Sequence, residues 1–182
     1  DGIREKNGKK LKLTYMTSTN TLRQKEQALV KEGWAKIGVD TELKNASATV
    51  FFSTDQGSPD TIGKFFNDVQ MYTNNSSQPD GTTYLCDFTT KEIASKANGW
   101  RTGNNGRYSN KDYDALCEQL RSEADPAKRK DIVVKMNDIL VSDVAIIPLV
   151  FRKDVVAVSK ALKGVNFGGW DSQMWNIADW TK

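Results

Sequence analysis

Hydrophobic and polar positions change period several times along this chain, and each change marks an element. Leu11, Leu13 and Tyr15 alternate with Lys12 and Thr14, which predicts a half-buried strand. Thr19 or Asn20 is placed to cap a helix after it. Leu22, Leu29, Val30, Gly33, Trp34 and Ile37 then share one broad helical face. Gly38 stops that helix, and Val39, Thr41 and Leu43 alternate again. Strand, helix and strand with short connections predict a parallel βαβ unit with a right-handed crossover. Ser58-Pro59-Asp60 has the form of a helix start, with Pro at the first helical position and the helix closing at Phe65 and Phe66. Val69 to Thr73 suits a strand, followed by the polar, turn-rich stretch 74–81. A second such loop runs from Asn98 to Asn110.

Two helices are predicted next. Tyr113, Leu116, Cys117 and Leu120 share a face, and Asp125-Pro126 opens a helix whose stripe is Ile132, Val133, Met136, Ile139 and Leu140. Val144 to Phe151, broken by Pro148, suits an edge or bulged strand, and Val155 to Val158 another. The last 13 residues hold Trp170, Trp175 and Trp180, three of the five tryptophans, with no regular period. Exposed aromatic area is costly, so this tail either folds back on the chain or docks on an apolar surface outside it. No internal repeat is visible.

Composition narrows the function more than the fold. In 182 residues, 38% are hydrophobic, and 13 glycines bring the apolar share to the ordinary globular level of about 45%. No apolar run reaches the length of about 18 residues that a membrane span needs. The net charge is +3, from 26 basic and 23 acidic residues, which does not indicate a nucleic-acid partner. Lysines 6, 9, 10 and 12, beside Asp1 and Glu5, read as a solvated edge. There is no histidine, so Ser–His and Cys–His nucleophiles and the HExxH zinc site are excluded. Two cysteines cannot make a four-thiolate zinc site.

Candidate motifs fail on inspection. Gly57…Gly63-Lys64-Phe65 is one residue too long for a phosphate loop, and Phe65 stands where a magnesium-binding hydroxyl is needed, so it reads as a turn beside a helix. Neither GxSxG nor Ser-x-x-Lys occurs. Asp112 and Asp114 suit the positive end of a helix better than a metal. Cys86 and Cys117 are an even pair, either bonded in an oxidising compartment or two buried thiols. The chain opens at Asp1-Gly2-Ile3-Arg4 without Met or a basic-then-apolar leader, which carries no weight toward the cytoplasm.

In order, several short motifs resemble one family. Asp1 to Leu11 is similar to the entry of the C-terminal lobe of family 5 extracellular solute-binding proteins, the oligopeptide, dipeptide and nickel receptors of ABC importers. Gly33-Trp34-Ala35-Lys36-Ile37-Gly38-Val39 resembles that lobe's first helix-to-strand junction. Asn105 to Asp114, Asp125-Pro126-Ala127-Lys128-Arg129, Ile147-Pro148-Leu149, and Val158 to Gly164 followed by Trp175-Asn176 continue the match. Each is unspecific alone; their order carries the resemblance, and it covers essentially the whole chain.

The resemblance implies a periplasmic-binding-protein-like (type II) α/β lobe with a mixed sheet and helices on both faces. Residues 1–160 would form the ligand-binding lobe, and 161–182 a return segment packed on an N-terminal lobe of the same receptor. The implied function is non-catalytic: two lobes close over a peptide-like or other small polar solute and deliver it to a membrane permease. It implies no cofactor, and a location outside the bacterial cytoplasmic membrane, in the periplasm or at the extracellular face. There a Cys86–Cys117 bond would form. The family's amine-holding Asp has its counterpart at Asn75, an amide that accepts a hydrogen bond without charge assistance. Candidate ligand contacts are Tyr72, Asn75, Trp100 and Arg107. The rival reading is a free-standing carbohydrate-binding or interaction module that uses Trp100, Tyr108 and the tail aromatics as a platform.

Overall fold

The computed structural model describes residues 2–74, 80–153, 155–168 and 174–182. It opens with a small hairpin, β1 (Glu5–Lys6) antiparallel to β2 (Lys9–Lys10). Asn7 and Gly8 make the turn with φ of 53° and 74°, the double left-handed pattern that suits the twist of a two-residue hairpin. All four lysines of this region are solvent-facing, and Lys12 pairs with Glu42 at 3.1 Å.

The βαβ unit follows as the alternation predicts. β3 (Lys12–Ser18) leads into α1 (Thr21–Ala35), and β4 (Asp40–Ala46) returns parallel to β3, in register from Lys12 opposite Asp40 to Ser18 opposite Ala46. The cap is Asn20, whose side chain accepts from the N–H groups of Leu22 and Arg23 and so satisfies two orphan donors of the first turn. Gly38 has φ of 80°, and a Cβ there would meet Gly2 O at 2.8 Å, so the site needs glycine on two counts.

After the short α2 (Ala48–Phe51), β5 (Val69–Gln70) joins the other edge of β3, again parallel, giving the order β4-β3-β5. The sheet is thus parallel throughout, and antiparallel pairing among the named strands is confined to the β1–β2 hairpin. Tyr15, Met16, Phe51 and Met71 are buried about it.

α3 (Thr82–Cys86), α4 (Lys111–Ser122) and α5 (Pro126–Ser142) build the second packing centre. Tyr113, Cys117 and Leu120 from α4 meet Ile132, Met136 and Leu140 from α5, with Leu85, Cys86 and Phe88 between them. Asp125 caps α5 with Pro126 at the first position, as read from the sequence. Cys86 and Cys117 are bonded in the middle of this cluster, their Cα atoms 5.6 Å apart.

Three expectations are corrected. Residues 58–66 form successive turns rather than a helix. Ser58 Oγ draws the Asp60 N–H into a local turn, and Phe65 is left-handed at φ 42°, which ends any helical run. Val144 to Phe151 and the described part of Val155 to Val158 carry no ladder hydrogen bonds and stay extended or irregular. Alternating apolar residues need a partner edge to become a strand, and Phe151 and Val155 are 98% and 92% exposed. The stripe of α1 is only partly buried: Val30 and Trp34 turn inward, while Leu22, Leu29 and Ile37 are exposed. The residue α1 buries fully is polar. Gln27 donates to Tyr15 O (2.7 Å) and Lys44 O (3.2 Å) and accepts from Asn45, tying the helix to both long strands.

Arg129 does similar work among the helices. One guanidinium nitrogen donates to Leu120 O and Glu123 O, carbonyls at the end of α4, and the other to Thr82 Oγ1 and the Asp80 carboxylate. The Arg129 hydrogen bond holds the Asp80 carboxyl below the usual carboxylate range, helped by the Thr82 N–H. A depressed pKa stabilises the fold above the unfolded value of about 3.9 and loses that stability as pH falls through the folded value. Asp80→Asn should therefore lower the urea midpoint at pH 7, by about 1 kcal/mol or less for so exposed a pair, and leave it unchanged near pH 2. An equal loss at both pH values would assign the effect to packing instead.

Candidate functional site

A groove of about 940 Å³ opens where β3 and β5 end. In a parallel sheet the carboxyl ends of the strands are where ligands sit, because chain turns there leave backbone and polar side chains free to face a crevice. Arg23, Glu26, Val30 and Trp34 of α1 form one wall. Tyr15, Gln70, Met71, Tyr72 and Thr73 form the floor. Tyr84, Phe88, Asn105 and Tyr108 stand opposite, and the segment 144–150 with Arg152 forms the rim.

Most of the polar groups here are neutral hydrogen-bonding groups. The Tyr15 phenol is pushed up to about 12 by burial, with Glu26 adding to it, and lies 3.2 Å from Met71 Sδ. Burial also raises Tyr72, against the opposing hydrogen bond with Asn105. Tyr108 is pushed up to about 12 by burial and by its donation to Asp143 at 2.5 Å. A phenol that stays protonated at neutral pH donates hydrogen bonds but cannot serve as a general base there. The amide N and O of Gln70 are buried without a protein partner, which leaves a donor and an acceptor for a polar solute. Among the described residues, no group of three or more carboxylates or thiols is placed to hold a metal ion.

The four sequence candidates separate. Tyr72 lines the groove. Asn75 lies outside the described residues; Thr73 and Asn74 just before it line the groove. Trp100 and Arg107 come together, the guanidinium carbon 5.5 Å from the indole centroid, but beside the groove rather than in its lining. Arg107 directs its donors to backbone carbonyls, Lys64 O at 2.6 Å and Phe65 O and Asn105 O at 3.4 Å, so it clamps two loops. Trp100 packs edge-on to Phe66 at 5.7 Å, and its carbonyl lies where a Cβ on Gly63 would be, 2.0 Å away. The sequence reading missed Tyr15, Arg23, Thr73 and Arg152. The available signal was position: three of the four lie on or just past β3 and β5, where a parallel sheet places its crevice.

No family model matches the chain. By sequence it is similar to the oligopeptide-binding protein OppA of Bacillus subtilis, 26% identical over 166 residues, and to the dipeptide-binding protein DppE of the same organism, 25% identical over 166 residues. These alignments cover 88% and 90% of this chain but 26% and 28% of the relatives, so the chain spans about a quarter of their length. Its backbone follows that of NikZ from Campylobacter jejuni, solved with Ni(L-His), at a TM-score of 0.68 and 20% identity, over 100% of this chain and 35% of that one. The resemblance to family 5 solute-binding proteins and the type II periplasmic-binding-protein-like fold, both read from the sequence, are borne out by these matches.

Proposed function

We propose that this chain is the C-terminal lobe of the substrate-binding component of an ABC importer. It captures a peptide-like or other small polar solute between two lobes, outside the cytoplasmic membrane of a bacterium, and hands it to a membrane permease. One observation carries the reading: an open groove at the carboxyl ends of parallel strands, in a chain whose similarity to peptide-binding relatives runs through most of its length. Tyr72 and Asn75 are the sequence candidates assigned to solute contact, and Trp100 with Arg107 holds the adjoining loops in place.

The exposed apolar surface supports a second lobe. Phe151, Val155, Phe167, Trp175 and Ile177 are all largely in water, although they belong to residue types that bury well. The tail also makes its own contacts: Lys163 pairs with Thr181, Trp175 Nε1 donates to Asn166 O, and Trp180 Nε1 donates to Asn176 Oδ1. A segment organised in this way can pack as a unit, and we assign 161–182 to the other lobe's surface. The rival reading, an aromatic platform, is disfavoured because Trp100 and Tyr108 stand edge-on to Phe66 and Tyr113 rather than side by side.

The test compares this chain with the two-lobed protein by calorimetry against a panel of peptides, amino-acid derivatives and sugars. A pocket normally covers most of a small ligand, about 70–90% of its surface. Losing half of a micromolar interaction leaves a millimolar one, so the chain alone should bind about a thousand-fold more weakly. Equal affinity for both proteins would contradict two-lobe capture.

A further inference from the structure

We propose that the groove holds an oxyanion between Arg23 and Arg152. The inference rests on the groove being the solute site and adds the charge of the solute it takes. Arg23 enters from α1, three residues after the Asn20 cap, and Arg152 enters from the rim. Both reach the same atom: Arg23 Nη2 lies 3.4 Å from Thr73 Oγ1, and Arg152 Nη1 lies 3.3 Å from it. Two guanidinium groups from distant parts of the chain therefore converge on one neutral hydroxyl at the carboxyl end of β5.

Arg23 is already held in place. Its Nη1 donates to Ser18 Oγ at 2.8 Å, and its guanidinium carbon lies 5.2 Å from the Phe52 ring centroid. Holding a fork in place before binding means that less side-chain freedom is lost when an anion arrives. Among the described residues, neither arginine has a carboxylate within ion-pair distance. Glu26, one turn along α1 and also in the groove wall, is the acidic group whose field Arg23 feels. Burial together with the charge of Arg152 outweighs it, and Arg23 is held below the ordinary arginine value. The pair repels, and Thr73 offers no charge to offset that repulsion.

A carboxylate or phosphate does offer it. Its oxygens can accept from both forks at once, in the planar two-bond geometry that favours arginine over lysine. The apolar wall of Val30 and Trp34 beside the pair strengthens such bonds by limiting solvent. Carboxylate and phosphate share this chemistry, so the experiment must separate them.

The full 182-residue chain, labelled with nitrogen-15, is followed through its arginine Nε–Hε signals at constant ionic strength. Arg23→Lys and Arg152→Gln assign the two signals by their loss. Four probes are titrated: N-acetylalaninate, its neutral amide, cationic alaninamide and inorganic phosphate. Saturable shifts of both arginine signals with N-acetylalaninate, at least tenfold weaker binding in Arg152→Gln, and no saturation with the neutral amide support a carboxylate site. Saturation with phosphate alone supports the oxyanion site and identifies phosphate as its occupant. Arg152 is exposed, so Arg152→Gln should keep the parent's thermal midpoint, and weakened binding would not reflect unfolding. No saturable shift with either anion, or unchanged affinity in Arg152→Gln, overturns the proposal. If a neutral or cationic solute fills the groove while both anions fail, the receptor reading stands and this inference falls.

Discussion

Replacing Cys86 and Cys117 together by alanine is expected to lower the unfolding free energy by about 3–4 kcal/mol. The bond joins residues 31 apart, and the chain-entropy model gives that stabilisation for a loop of this length, through restriction of the unfolded chain. Both residues are buried, Cys117 fully, so the lost sulfurs leave small voids that add to the cost. Alanine is preferred to serine because a hydroxyl in this cluster would be buried without a partner. The loop closed by the bond carries Phe88, Asn105, Gly106 and Tyr108, the far wall of the groove. Reduction should therefore loosen the wall that faces Arg23 as well as shift the urea midpoint. A midpoint unchanged by reductant, or two titratable thiols in denatured, unreduced protein, would show that the bond does not form.

The same region shows what the sequence can and cannot display. The α4 and α5 stripes are legible because one apolar residue per turn repeats over three or four turns, and both helices have somewhere to bury that face. Tyr113, Cys117, Leu120, Ile132, Met136 and Leu140 all lie where periodicity places them. The α1 stripe is as regular, yet Leu22, Leu29 and Ile37 are exposed, because a pattern records that a face is apolar and not what covers it. The alternation from Val144 onward misleads for a related reason: a strand is a property of two segments, and the reading saw one. The groove's position follows from the parallel topology, but Arg23 and Arg152 are 129 positions apart, and no local spacing joins them. Single buried polar residues are the least legible of all. Gln27, Asn104 and Arg129 have no period, and their partners are backbone groups, which are the same at every position.

Asn104 gives the second large effect. Its side chain is fully buried, and its Nδ2 donates to Phe88 O (3.1 Å), Thr89 O (2.9 Å) and Tyr108 O (2.7 Å), while its Oδ1 accepts from the Tyr108 N–H (2.9 Å). One amide thus fastens the chain after α3 to the chain before α4, and with it Asn105, which hydrogen-bonds Tyr72 on the groove floor. Asn104→Leu matches the volume but leaves three carbonyls and one N–H without this partner, and a loss of about 2–4 kcal/mol is expected, since each orphaned buried group costs about 1–3 kcal/mol and some will find water. Asn104→Asp separates hydrogen bonding from shape. The carboxylate could still accept from Tyr108 but would face three carbonyl oxygens with no proton to offer, so its folded pKa must rise well above the unfolded value of about 3.9. For a raised carboxyl the penalty is full above the folded pKa and fades as pH falls toward the unfolded one, where the protonated group donates again. Urea unfolding of Asn104→Asp should therefore approach the parent's stability as pH falls toward 4, while Asn104→Leu keeps its full deficit. A pH-independent deficit in Asn104→Asp would mean that the site tolerates the charge, and that the three carbonyls are satisfied in another way.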